Sequence, residues 1–327
     1  MMKFEHNPAL DGLRAVAALM VIAYHSGAPF AGGGFVGVDV FFVLSGFLIT
    51  SLLRQEIETG GIDYGQFLLR RAVRLFPALA LLLTVWLIVG PILWPAEQHV
   101  RDAVVTAAYL SNLASALWDA PGRFLNHTWS LASEQQFYLL WPLLLPLFAK
   151  RRNPALWLCA LYVALAAWRL VAPWPLSYFC HTSGLALGAT LAFTPPAKSS
   201  WLGLPGLLLI ALAVTRTTWA PPFPGILLAE VGTALILLHR RPSLLNTALA
   251  SRPLVSLGLI SYGVYLWQQF FIMGLQGLPW TERLAISLPG SLAAAWLSYT
   301  FVEQPIRRWA VVRRTEDART VTEKVGG

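Results

Sequence analysis

Ten apolar runs, each near the length of a bilayer crossing and bounded by polar or basic clusters, constrain this chain more than any other feature. They cover 9–27, 35–53, 72–93, 129–149, 154–172, 177–194, 201–215, 224–239, 255–276 and 284–303. A spanning helix takes about 20 apolar residues. Backbone groups in lipid must pair internally, which leaves helices or a closed barrel. The runs lack the strict alternation of barrel strands. The expected fold is therefore an all-α integral membrane protein with about ten transmembrane helices. Composition excludes the other classes. Only 12% of the 327 residues are charged and 56% are hydrophobic, whereas a soluble domain carries about 25% charged residues and a disordered chain needs low hydrophobicity. The first run is read as a retained span rather than a leader, because Asp11 and Arg14 interrupt it.

The net charge of +8 has a membrane explanation. One set of loops holds Lys3; Arg54, Arg70, Arg71 and Arg74; Lys150, Arg151 and Arg152; Lys198; Arg240, Arg241 and Arg252; and the basic tail. The opposite loops hold Arg101, Arg123, Arg216 and Arg283. That asymmetry places both termini in the cytoplasm and removes the need for a nucleic-acid partner. Trp94, Trp118, Trp174, Trp219 and Trp280 fall near the expected outer ends. Residues 1–310 read as one transmembrane domain and 311–327 as a short basic cytoplasmic tail. The longest outer loop, 95–128, has a helical stretch from Val100 to Leu117 that lies on the membrane or caps a cavity. Gly32-Gly33-Gly34 reads as a mobile hairpin turn between the first two spans.

A charge at the bilayer centre costs about 2.5–3.5 kcal/mol on insertion scales, so each one is a site hypothesis. Arg14 and His25 are eleven residues apart, nearly three turns. They share a helix face about 16 Å apart along the axis, with Arg14 at the cytoplasmic mouth and His25 deep on the outer side. Asp11, one turn before Arg14, can pair with it. Asp39 opens the second span, either as a helix N-cap or as a site residue. Glu134 sits in a polar stripe with Ser130, Ser133 and Gln135. Arg169 and Glu230 are read as a structural neutralising pair. His99, His127, His181 and His239 show no metal-ligand spacing, and Cys159 and Cys180 form no disulfide framework; no metal is expected.

Six segments in order resemble the membrane acyltransferases of the acyltransferase-3 type. They are Leu10-Asp11-Gly12-Leu13-Arg14-Ala15 with His25, Gly37 through Ile49, Arg70 through Pro77, Thr128 through Tyr138, Leu257 through Trp267, and Val302 through Arg308. The chain departs from the family pattern at three places. Gln135 follows Glu134 where a second glutamate is common. Gln268 stands where a histidine often follows the Tyr-x-Trp stretch. Ser183 occupies the place of a usual aspartate.

The resemblance implies a multi-pass protein of the bacterial cytoplasmic (inner) membrane. It also implies transfer of an acyl group from acyl-CoA, most often acetyl-CoA, to a hydroxyl of an envelope or exported glycan or glycolipid, beside membrane lipid. Arg14, Arg70, Arg71 and Arg74 then hold the donor phosphates. The neutral pantetheine arm follows the first span. His25 acts as general base or carries the acyl group itself. Glu134 and Asp39 orient His25 or bind the acceptor, and Ser45 is a candidate oxyanion donor. Two rivals stay open. One is a transporter or flippase for a lipid-linked sugar, and the other is an intramembrane hydrolase using Ser45.

Overall fold

The computed structural model describes residues 6–118, 120–171, 181–197, 201–216, 223–239 and 243–310. Trp174, Cys180, Lys198, Trp219, Arg240, Arg241, Lys3 and the tail 311–327 lie outside them, as do residues 177–180 of the sixth expected run. The described chain is helical: α1 (Pro8–His25), α2 (Gly37–Thr59), α3 (Tyr64–Leu93), α4 (His99–Ala107), α5 (Ser111–Leu117), α6 (Trp129–Ala149), α7 (Pro154–Arg169), α8 (Ser183–Ala192), α9 (Gly203–Thr215), α10 (Phe223–Leu238), α11 (Leu244–Leu249), α12 (Arg252–Met273) and α13 (Trp280–Ser298). A π-helical turn, Tyr299–Glu303, carries α13 onward to Ala310. No strand occurs among the described residues.

Local chemistry sets the helix starts. Asn7 caps α1 by accepting from the Ala9 amide, with Pro8 in the first turn. Asp63 caps α3 and Asn153 caps α7 in the same way, the latter again followed by proline. Proline fits a first turn because its missing N–H would be unpaired there anyway.

Each expected span contains a helix among its described residues. Three helices, Gly34–Thr59, Tyr64–Leu93 and Trp280–Ala310, are by themselves long and apolar enough to cross a membrane. Helices α1, α6 and α12 have 18, 21 and 22 residues, but they carry the polar residues of the interior. Four further apolar helices, α7 to α10, are shorter, at 10 to 16 residues.

The helices meet through glycine. A Cβ on Gly258 of α12 would stand 2.0 Å from the Asp11 carbonyl oxygen of α1. Between α2 and α8 the same holds in both directions: Gly46 faces the Leu185 carbonyl at 2.1 Å and Gly188 faces the Val43 carbonyl at 2.1 Å. Lipid tails are as apolar as leucine, so helices in a membrane gain by close backbone approach through small residues. These contacts also fix direction. On α1 and α12, Asp11 meets Gly258 and His25 meets Gln268, so the two run parallel. Helices α2, α6 and α8 run together, from Phe42 beside Trp129 to Thr50 beside Trp141, and from Val43 beside Gly188 to Arg54 beside Ala192.

Two loops take a more definite form than the sequence shows. The stretch from Val100 to Leu117 is helical in two pieces. It breaks at Tyr109, whose φ is 55°, into α4 and α5. The carboxamide of Asn112 on α5 then donates to Ser133 Oγ (3.2 Å) and Gln136 Oε1 (2.9 Å) of α6. This links α5 directly to the polar face of α6. The Gly32–Gly34 turn is also tied down rather than loose. Gly33 donates its amide to the Val214 carbonyl at 2.9 Å, and a Cβ there would lie 1.9 Å from the Ala213 oxygen.

Candidate active site

A cavity of about 710 Å³ opens between α1, α2, α3, α6 and α12. At one end stand Arg14, Arg70, Arg71, Arg74 and Arg307. Deeper in are Ser45, Glu134 and Tyr138, and the far wall includes Phe42, Ser130 and Tyr265. The four arginines singled out in the sequence are thus brought together, and Arg307 joins them.

Their engagements differ. Arg70 pairs with Glu56, and Arg307 with Glu303 at 2.8 Å. Arg14 lies 3.6 Å from Asp11 Oδ1, while His6 holds the other oxygen of that carboxylate at 2.7 Å. Arg71 sits over the rings of Phe67 and Tyr138. Among the described residues, neither Arg71 nor Arg74 has an ion-pair partner. A cation without a carboxylate is the one free to take an anionic ligand in a charge-assisted hydrogen bond.

Glu134 is half-buried and lies on the cavity wall. Ser45 and Tyr138 both donate hydroxyl hydrogens to its Oε1. Tyr138 follows Glu134 by one helical turn, a spacing that sequence reading could have caught. Ser45 is therefore committed to that carboxylate. A nucleophilic serine needs a base within hydrogen-bond reach, and the base beside Ser45 is the Glu134 carboxylate rather than a histidine. Ser130, from the same stripe as Glu134, joins the Tyr265 hydroxyl at 2.6 Å, and that hydroxyl also donates to the His127 carbonyl at 2.7 Å.

His25 ends α1, eleven residues beyond Arg14. It is not a lining residue of the cavity. Its Nδ1 faces Gln268 Oε1 of α12 at 3.3 Å. Gln268 lies three residues after Tyr265, on the adjoining turn, so α12 links the far wall of the cavity to the imidazole. The expectation that Glu134 or Asp39 orients His25 is not met by direct contact. Glu134 holds Ser45 and Tyr138. Asp39, fully buried, accepts from His181 Nδ1 at 2.8 Å. His181 was invisible as a partner because α8 is distant in sequence from α2.

Arg169 and Glu230 form the expected buried pair at 3.0 Å. Ser183 donates to the same carboxylate at 2.5 Å and Tyr162 at 3.2 Å. Among the described residues no group of three or more histidine, cysteine, aspartate or glutamate side chains could hold a metal ion.

Comparison with known proteins follows the same lines. The acyltransferase-3 family model, described as an acyltransferase domain, matches residues 7–303. The chain is 32% identical over 349 residues to a peptidoglycan O-acetyltransferase, OatA, of Listeria monocytogenes, covering 93% of this chain and 56% of that protein. It is 34% identical over 355 residues to a putative peptidoglycan O-acetyltransferase, YrhL, of Bacillus subtilis, with 93% and 56% covered. An O-acetyltransferase, OatA, of Staphylococcus aureus is 32% identical over 344 residues, with 92% and 57% covered. The chain thus spans a little over half the length of these curated relatives. No solved structure matches it. Matched along nearly its whole helical body, the chain belongs to the acyltransferase-3 family of membrane proteins.

Proposed function

We propose that this protein is a membrane O-acyltransferase that moves an acyl group, in first place acetyl, from acyl-CoA to a hydroxyl of an envelope glycan. The observation that carries the reading is the polarised cavity, with arginines at one end and Ser130 and Tyr265 at the other, one helical turn along α12 from the Gln268 that contacts His25. A donor that is anionic at one end, neutral along its arm and reactive at its tip matches that order. Arg71 and Arg74, free of carboxylates, would hold its phosphates, and Arg14 would add a third contact. The arm would run past Glu134 toward Tyr265 and His25. The names of the relatives point to peptidoglycan as the first acceptor to try.

In the transfer step His25 takes the proton of the acceptor hydroxyl. The hydroxyl oxygen attacks the thioester carbonyl, the C–S bond breaks, and the thiolate leaves and is protonated. General-base catalysis of this kind contributes about 10²–10⁴-fold. The parallel directions of α2, α6 and α8, and of α1 and α12, are those that alternating spans require of even and odd members. They support a multi-pass arrangement with Arg14 and His25 at opposite membrane faces, residues 1–310 forming the transfer domain. A transporter reading has less support, since the sequence carries no paired repeats of the kind transporters use.

The test is purified protein in liposomes, labelled acetyl-CoA, and glycan fragments analysed by mass spectrometry. The expected result is an acyl mass difference on the glycan that depends on His25. Transfer at the wild-type rate by His25→Ala would remove the general-base role, and glycan movement across the bilayer with no acyl product would favour the transporter.

A further inference from the structure

The imidazole of His25 has one neighbour that the transfer step leaves unused. Gln268 reaches from α12 with its Oε1 3.3 Å from His25 Nδ1. Its side chain is fully buried, and its own Nε2 has no hydrogen-bond partner. This carboxamide is not on the cavity wall, and the side chain it meets is His25.

The chemistry of the contact is specific. A carboxamide oxygen only accepts. Facing Nδ1, it selects the tautomer with the proton on Nδ1 and leaves the lone pair on Nε2. Which ring nitrogen of a histidine carries the proton is set by the hydrogen bond the other makes. Nothing else among the described residues bonds His25 through its side chain, so this contact decides alone. A carboxylate would do the same and also favour the imidazolium, at the cost of burying a charge in an apolar interior. The amide orients without adding charge. It leaves one buried donor unpaired.

We infer that Gln268 is a positioning residue for acyl transfer, holding His25 as the Nδ1–H tautomer so that Nε2 is the basic nitrogen that meets the acceptor hydroxyl. This deepens the proposed function and rests on His25 being the base. Three variants test it in the detergent-purified full chain. Gln268→Met keeps the volume and removes the acceptor. Gln268→Glu keeps the acceptor. His25→Ala is the control for the base itself.

Nitrogen NMR of histidine-labelled protein, with the His25 signal assigned by its loss in His25→Ala, reads the tautomer independently of turnover. The expected wild-type state is Nδ1–H. Gln268→Met should lose it, with kcat lower by about 10- to 100-fold, the range found for partners that orient metal-bound histidines. The KM for acetyl-CoA should be unchanged, and Gln268→Glu should restore both the tautomer and most of kcat. An Nε2–H wild-type tautomer, or an undiminished kcat in Gln268→Met beside an inactive His25→Ala, would overturn the inference and leave the base intact. Full activity in His25→Ala would instead overturn the reading on which it rests.

Discussion

Arg14 is the residue at which two accounts of α1 separate. A cation in an apolar helix can be a structural partner of Asp11 or a ligand for an anion. The distances favour the second. Asp11 is held more closely by His6, at 2.7 Å, than by Arg14, at 3.6 Å. Removing Arg14 should therefore weaken donor binding more than it harms chemistry. Arg14→Ala should raise the acetyl-CoA dissociation constant by about 10-fold or more, the worth of one charged hydrogen bond. Arg14→Lys keeps the charge without the forked geometry and should be intermediate. Titration calorimetry checks this, and unchanged donor binding in Arg14→Ala would leave only the structural pair. Asp39 calls for the opposite expectation. Its contact is His181, so Asp39→Ala should lower stability by about 1–3 kcal/mol through loss of a buried acceptor. Donor binding and the His25 tautomer should not change. A thermal melt beside the NMR readout separates these, and a changed tautomer would return Asp39 to the orientation of His25.

At the scale of helices, the proposed chemistry rests on the pair α1 and α12, since one presents His25 and the other Gln268. Their approach depends on Gly258, where any Cβ would meet the Asp11 carbonyl at 2.0 Å. Backbone cannot yield as a flexible side chain can. Gly258→Val should push the two helices apart and cost about 1–3 kcal/mol or more, the usual range for overpacking. It should also loosen the contact between His25 and Gln268, ten residues away on the same helix. A lowered melting temperature together with reduced kcat is the expected pair of results. A variant with wild-type melting would mean that α1 and α12 are held elsewhere. The hydrogen bonds from α5 to α6 act at the same scale, tying the outer loop to the helix that bears Glu134.

For the whole molecule the testable property is sidedness. The expected topology, read from the basic loops, puts Lys150 and the C-terminus on the side of Arg14 and the α4–α5 loop on the opposite side. Reporter fusions after Lys150 and at the C-terminus should read cytoplasmic, and one in the loop after Leu117 should read extracytoplasmic. A reversal at either site would break the ten-span order. Sidedness matters for mechanism because acyl-CoA is cytosolic while an envelope glycan is not. In the proposed reaction the donor enters from the arginine face and the acyl group leaves near His25. The buried network of Arg169, Glu230, Ser183 and Tyr162 lies apart from this route. It ties α7, α8 and α10 together, as expected for a charge pair whose partners satisfy each other away from water.

Hydrophobic run length alone determined that this chain is a set of apolar helices, because in lipid an unpaired backbone leaves almost no other choice. Helical periodicity put Arg14 and His25 on one face, and the charge of Arg70, Arg71 and Arg74 marked one end of the site. Those properties are local, so they can be read from spacing. Partnership is not local. That Ser45 is committed to Glu134, that Asp39 belongs to His181, and that Gln268 meets His25 across 243 positions depends on which helix faces which. Backbone packing at glycines such as Gly46, Gly188 and Gly258 decided that, through contacts whose ångström-scale tolerance no one-dimensional pattern encodes.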